Sequence, residues 1–230
     1  MERDARGFRL CCAVCCTLLY ACAYDGDTCM SDQLSYPRVT EVLHPYTSYN
    51  EVPQNILQHA AARGTRVHAI CAGIANGAWI TNEAMGEECV GYVRSFEQWF
   101  DQYVEEVLLV EKRYIDKVLG YTGQIDFLIR AKNGTRCLVD LKTSARPQKT
   151  YGIQMAAYSN LLDSEGIMVD RSMLVYLNKI GDEAKVVEAS TWHKELHVFK
   201  CALTCYKYFH KGNYGREDIE FTSKDSSSHG

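Results

Sequence analysis

The sequence predicts a mixed α/β fold, a central mixed β-sheet flanked by helices, and three observations support it. Segments with helical spacing of apolar residues alternate with short runs of β-branched and aromatic residues. Their order is helix, helix, three strands, helix, two strands, helix, as expected for a sheet covered by helices. A chain of 230 residues that is 47% hydrophobic can bury one substantial core, so one main domain is the default.

Thr40 to His44 is a short apolar-polar stretch ended by Pro45. After Pro53, residues 54–75 place Ile56, Leu57, Ala60, Val67, Ile70, Cys71 and Ile74 near helical spacing, with Gly64 as a candidate break. A second helix over about 83–103 carries Cys89, Val90, Val93, Phe96 and Phe100 as its buried stripe. Then the period changes: residues 104–115, 120–131 and 136–142 read as strands, with Asn133-Gly134 as a hairpin turn. A helix at about 151–163, strands near 171–179 and 184–190 joined at Gly181-Asp182, and a helix near 193–211 complete the domain.

The ends differ in composition. Arg3, Arg6 and Arg9 precede an apolar run from Leu10 to Ala23, and Ala21-Cys22-Ala23 resembles a cleavage site, the outline of a secretory signal peptide. The competing reading is an extension ahead of a natural start at Met30, preferred because Met30-Ser31-Asp32 opens directly into the domain pattern. Residues 1–29 are thus expected to be a non-domain extension, 30–221 the domain, and the polar stretch 222–230 a disordered tail. A chain starting at Met30 is expected to fold and act as the full chain does. The expected location is the cytoplasm, without membrane association; secretion follows only if residues 1–23 are a true signal peptide.

Six of the eleven cysteines lie in the first 29 residues, a distribution unlike a disulfide scaffold. Cys71, Cys89, Cys137, Cys201 and Cys205 have apolar neighbours and read as buried thiols in a reducing compartment. A net charge of -4 gives no overall basic footprint, so nucleic-acid binding would need a local basic stripe.

The chemistry concentrates in Gly123-Gln124-Ile125-Asp126 and Leu138-Val139-Asp140-Leu141-Lys142. Asp140 and Lys142 are two apart on one strand and share a face. Asp126 comes from the other strand of the hairpin, and two such carboxylates can share a hard divalent cation. A lysine beside them can position a water for attack on phosphorus. Asp-x-Lys alone is a common exposed-strand pattern, but here the aspartate lies within an apolar run, where an unpaired carboxylate is costly. Parity adds a condition: a two-residue Asn133-Gly134 turn would put the aspartates on opposite faces. A three-residue loop, Lys132-Asn133-Gly134, or a compensating bulge would set Asp126 opposite Asp140.

These residues resemble the PD-(D/E)xK nucleases, specifically the RecB-like exonuclease branch, marked by Gly-x-x-Asp, Asp/Glu-x-Lys and Gln-x-x-x-Tyr. Here they stand as Gly123 to Asp126, Asp140 to Lys142, and Gln154 to Tyr158, with Arg63-Gly64-Thr65-x-x-His68 upstream. The resemblance implies a restriction-endonuclease-like core and a Mg2+ cofactor, replaceable by Mn2+. It implies His68, Asp126, Asp140 and the backbone carbonyl of Leu141 as ligands, and Lys142 to position the attacking water. Gln154 and Tyr158 would support the lysine and the DNA strand. Arg63, Arg146 and Lys149 are candidates for phosphate contacts. Glu111 is a further candidate, as an auxiliary acid or as half of a surface pair with Lys112 or Arg113. Cys201 and Cys205 do not reproduce the cysteine cluster of the iron–sulfur members, so no cluster is expected. The implied activity is a DNA exonuclease of replication, recombination or repair, cutting without sequence preference. An endonuclease of the same fold and a non-catalytic nucleic-acid-binding protein are the alternatives.

Overall fold

The computed structural model describes residues 36–49, 52–144, 146–189 and 192–210, apart from the Trp192 side chain. The expected extension over 1–29, the start at Met30 and the tail over 222–230 lie outside the described residues. The elements in order are α1 (Val39–Leu43), α2 (Gln54–Ala75), α3 (Asn82–Met85), α4 (Glu87–Tyr103), β1 (Val104–Asp116), β2 (Tyr121–Ala131), β3 (Arg136–Lys142), α5 (Lys149–Ser164), β4 (Arg171–Tyr176), β5 (Lys185–Glu188) and α6 (Trp192–Phe209). The strands form one mixed sheet in the order β1-β2-β3-β4-β5, in which only the β3–β4 pair is parallel. The α5 helix makes the crossover that a parallel pair needs.

Two cores lie on opposite faces of this sheet. Val67, Ile70 and Cys71 of α2 and Val93, Phe96 and Trp99 of α4 pack on Phe127, Val139, Leu141 and Val175. On the other face, α1, α5 and α6 bury Val39, Met155, Leu161 and Phe199 against Tyr121, Ile125, Leu138 and Leu174. This is the layered α/β arrangement the sequence predicts.

The departures have local causes. Gly64 does not break α2, whereas Gly86, at a φ of 80°, divides the expected second helix into α3 and α4. The stretch after Pro37 forms α1, whose start is held by the Glu41 carboxylate accepting from the Arg38 backbone N–H at 2.9 Å. Cys201 and Cys205 are exposed, a correction to the buried reading: on α6 it is Phe199, Ala202 and Leu203 that face inward. Cys71, Cys89 and Cys137 are buried.

The hairpin has the longer loop. The Ala131 N–H donates to the Thr135 carbonyl at 2.9 Å, and Gly134 closes the turn at a φ of 83°. That conformation is cheap only for glycine. The ladder then runs from Arg130–Arg136 to Phe127–Val139 and stops one pair before the two aspartates.

Candidate active site

The site forms where β2 and β3 part. Strict alternation would put Ile125 and Phe127 on one face, yet Ile125 belongs to the α5 side and Phe127 to the α2 side. The phase of β2 therefore changes at Asp126. On β1, Val110 packs toward α2 and Tyr114 toward α5, so that strand changes phase too. Between them Glu111 has a φ of 47°, the left-handed region that side chains adopt at a cost of about 1–3 kcal/mol. The pairs Val110–Phe127 and Lys112–Ile125 flank the break, which sets Glu111 opposite Asp126.

Asp126 is nearly buried, and its Oδ2 accepts the Leu141 N–H at 2.9 Å. The same oxygen lies 3.2 Å from Nδ1 of His68, which α2 brings from the adjoining layer. One ligand atom each from His68, Glu111 and Asp126 lie within 4.8 Å of one another. Asp140 is buried beside them but turned toward the lysine: its Oδ2 is 2.5 Å from Lys142 Nζ and otherwise without a hydrogen-bond partner. The paired register ends before the two aspartates, and each has its own partners: His68 and Glu111 near Asp126, Lys142 beside Asp140. Asp126 follows β1 across the phase break while Asp140 stays with β3 and β4.

The other layer supports the lysine. Lys142 Nζ donates to Gln154 Oε1 at 3.0 Å and lies 4.2 Å from the Tyr151 ring centroid. Gln154 in turn donates to the Tyr158 hydroxyl at 2.9 Å. Tyr158 is only 5% exposed, so it backs Gln154 rather than facing a bound strand. Its ring also explains the glycine of Gly-x-x-Asp: a Cβ on Gly123 would come within 2.7 Å of Tyr158 Cε1.

Charges in the cluster shift one another. Burial alone would depress the His68 imidazole, but the Asp126 carboxylate outweighs it and holds the pKa at about 9. Burial works against ionised Asp126 also, yet His68 and Lys142 together bring its pKa below the usual value. Burial, and then the charge of Asp126, raise both Glu111 and Asp140. Burial and the charge of Asp140 likewise raise the Tyr158 phenol. Three carboxyl groups thus crowd one imidazole and one ammonium group. With one imidazole and hard oxygen donors among them, the residues fit a divalent cation.

Of the expected phosphate contacts, Arg63 is half-buried, its guanidinium 5.4 Å from the Tyr92 ring centroid and its Nε without a hydrogen-bond partner. Arg146 and Lys149 are exposed on the segment leading into α5. Sequence reasoning missed Tyr151 and Gln124. Gln124 donates to the Glu111 carboxylate and accepts from Arg113 at 3.3 Å, which leaves Arg113 bonded to Gln124 rather than to Glu111. The signal for Tyr151 was its place one helical turn before Gln154.

Among the described residues no helix is long and apolar enough to cross a membrane. No curated protein matches the chain. Among solved structures, a crystal structure from Eubacterium rectale named "Putative exonuclease" is similar at 14% identity and a TM-score of 0.47, over 71% of this chain and 72% of that one. The crystal structure of SSO0001 is similar at 19% identity and a TM-score of 0.33, over 45% of this chain; the match spans 52% of that chain's length. The sequence profile of the PD-(D/E)XK nuclease superfamily matches residues 40–206, which include every element from α2 to β5. Superfamily members are hydrolytic enzymes that act on nucleic acid with divalent metals. The match covers well over half of the sequence, and the chain belongs to the PD-(D/E)XK nuclease superfamily.

Proposed function

We propose that the protein is a Mg2+-dependent DNA exonuclease of the RecB-like branch, with Mn2+ able to substitute, serving replication, recombination or repair. The observation that carries this reading is the continuous chain from Asp140 through Lys142 and Gln154 to Tyr158. It fixes an ammonium group beside an acid cluster able to bind metal, and it uses each residue of the Asp-x-Lys and Gln-x-x-x-Tyr motifs.

His68, Glu111, Asp126, Asp140 and the Leu141 carbonyl would hold the cation, which when bound stabilises the negative charge developing on the phosphate oxygens. Lys142 orients the water whose oxygen attacks phosphorus as the ester oxygen on the far side departs. Gln154 keeps the lysine pointed at that water. Arg63, Arg146 and Lys149 hold neighbouring phosphates, contacts that carry no base information, so cutting is independent of sequence.

Digestion of end-labelled linear and closed circular DNA with Mg2+, Mn2+ or Ca2+ tests the reading. The expected result is release of mononucleotides from linear ends, with circles resistant and Ca2+ inactive. Cutting of circles would make the enzyme an endonuclease, and no cleavage with any metal would reject the catalytic reading.

A further inference from the structure

The parallel strands β3 and β4 end together, with Lys142 paired to Tyr176 at their carboxyl ends. Ligand sites in α/β sheets favour such ends, where the chain departs toward different layers. A cavity of about 460 Å3 opens there, lined by Thr143 and Ser144 on one side and by Tyr176, Lys179, Ile180 and Lys185 on the other. It adjoins the lysine: the Ser144 hydroxyl is 3.0 Å from the Tyr151 hydroxyl, and the Tyr151 ring carries Lys142 Nζ. Tyr92, the residue under the Arg63 guanidinium, also lines it.

The loop after β4 is held firmly against α4. The fully buried Ser95 hydroxyl accepts the Asn178 N–H at 2.9 Å, and Asn178 Oδ1 accepts the Ile180 N–H at 2.8 Å. Gln98 donates to the Gly181 carbonyl at 3.3 Å. Gly91 runs so close that a Cβ there would lie 1.8 Å from the Lys179 carbonyl oxygen. This fixed loop nonetheless presents Lys179 to solvent and leaves Ile180 74% exposed at the cavity. An exposed isoleucine alone is ordinary. Anchored beside aromatic rings and two lysines, it makes an apolar surface next to cations. Glu183 is the one acid lining the cavity, so the local balance is positive in a chain of net charge -4.

The geometry points to a nucleotide subsite, in which the cavity takes one unpaired nucleotide of the strand flanking the bond to be cut. Its base lies against Ile180 and the Tyr176 ring, and its phosphate lies near Lys179 and Lys185. The volume is within the ~300–1,000 Å3 of small-ligand sites. An apolar and aromatic wall beside lysines meets the flat face of a base, which is free only in an unpaired strand. Base–aromatic contact and backbone cations are the usual means of holding such strands. This inference rests on the nuclease reading.

Binding measured without metal separates the two. The probes are fluorescein-labelled dT10 and a blunt hairpin duplex, followed by anisotropy in EDTA with the full chain. The variants are the Lys179→Glu, Lys185→Glu pair and Ile180→Ala, all at exposed positions, with thermal melts to establish that folding is kept. The charge-reversed pair is expected to weaken dT10 at least about tenfold and to lower the slope of log Kd against log salt by about one. Ile180→Ala is expected to weaken dT10 about threefold or more with the slope unchanged. Duplex binding should change less than about twofold. Unchanged dT10 binding in both variants, or equal losses on single strand and duplex, would overturn the subsite. A wild-type chain that binds dT10 through these residues but cuts no DNA with Mg2+ would support the subsite and reject the nuclease reading.

Discussion

Glu111 and Asp126 face each other across β1 and β2 at the position where both strands change face, and each has an oxygen within 4.8 Å of the other and of a His68 nitrogen. The positive φ of Glu111 is backbone strain located at the candidate metal centre. Glu111→Gln should weaken Mn2+ binding about tenfold or more in calorimetry while leaving urea stability nearly unchanged. Glu111→Gly should also lose affinity, yet stabilise the metal-free fold by up to about 1 kcal/mol, because glycine adopts that conformation without strain. Wild-type affinity in both variants would remove Glu111 from the ligand set.

Asp140→Ala and Lys142→Ala should abolish Mg2+-dependent cleavage with folding intact. A loss below about tenfold, only ~1.4 kcal/mol of barrier, would refute these roles. His68→Ala should be partly rescued by high Mn2+, since a lost ligand lowers affinity by mass action without removing the carboxylates.

Gln154→Ala should separate positioning from ligation. It removes the acceptor 3.0 Å from Lys142 Nζ but no metal donor. Turnover should fall about tenfold to a hundredfold with Mn2+ affinity unchanged. An equal fall in metal affinity would place Gln154 in a structural role instead.

The raised His68 pKa has a pH consequence for the metal-free protein. The folded value is about 9 against 6.5 for the free side chain, so the His68–Asp126 pair stabilises fully below pH 6.5 and loses that contribution as pH rises through 9. At about 1.4 kcal/mol per pKa unit the effect reaches about 3 kcal/mol, an upper value because the His68 side chain keeps 26% of its exposure. Urea titrations in EDTA should show the decline between pH 7 and 10, and His68→Ala should flatten it. The same proton must leave when a metal binds, so Mn2+ titrations at pH 7.5 in buffers of different ionisation enthalpy should report release of about one proton.

Gly123→Ala would force a methyl against Tyr158 and against Leu161 Cδ1, which lies 2.8 Å from the added atom. It should cost about 1–3 kcal/mol of stability by overpacking. Cleavage should also drop, because displacing Tyr158 disturbs the partner of Gln154. Wild-type stability would show that α5 sits farther from β2 than described.

The strand-rich middle of the chain was legible because hydrophobic period and turn chemistry agree there. The bounds of β3 follow from the apolar run in Arg136–Lys142, and Asn133-Gly134 marks the turn, while the three-residue loop was only a condition set by the two aspartates. Asp126, Asp140 and Lys142 stand out in the sequence for a related reason, as charges within or beside apolar runs. The arrangement between them was not legible. Parity extended through a regular ladder puts Asp126 against Asp140, but β2 leaves that ladder to stay paired with β1. A left-handed glutamate carries no mark in the sequence, so Glu111 reads equally well as a surface charge. Cys201 and Cys205 were misplaced because apolar neighbours along α6 do not say which side of the helix faces the sheet.

The phase breaks of β1 also bear on solubility. β1 is an outer strand of thirteen residues, and among the described residues no strand pairs with its far side. So long an open edge invites a second chain to add on and start a fibre. Register shifts near Glu105 and Leu108, the kink at Glu111 and the charges of Glu105, Glu106, Lys112 and Arg113 interrupt the straight template that such growth requires. The distortion that aims a carboxylate at the candidate metal centre thus also disfavours edge-to-edge aggregation.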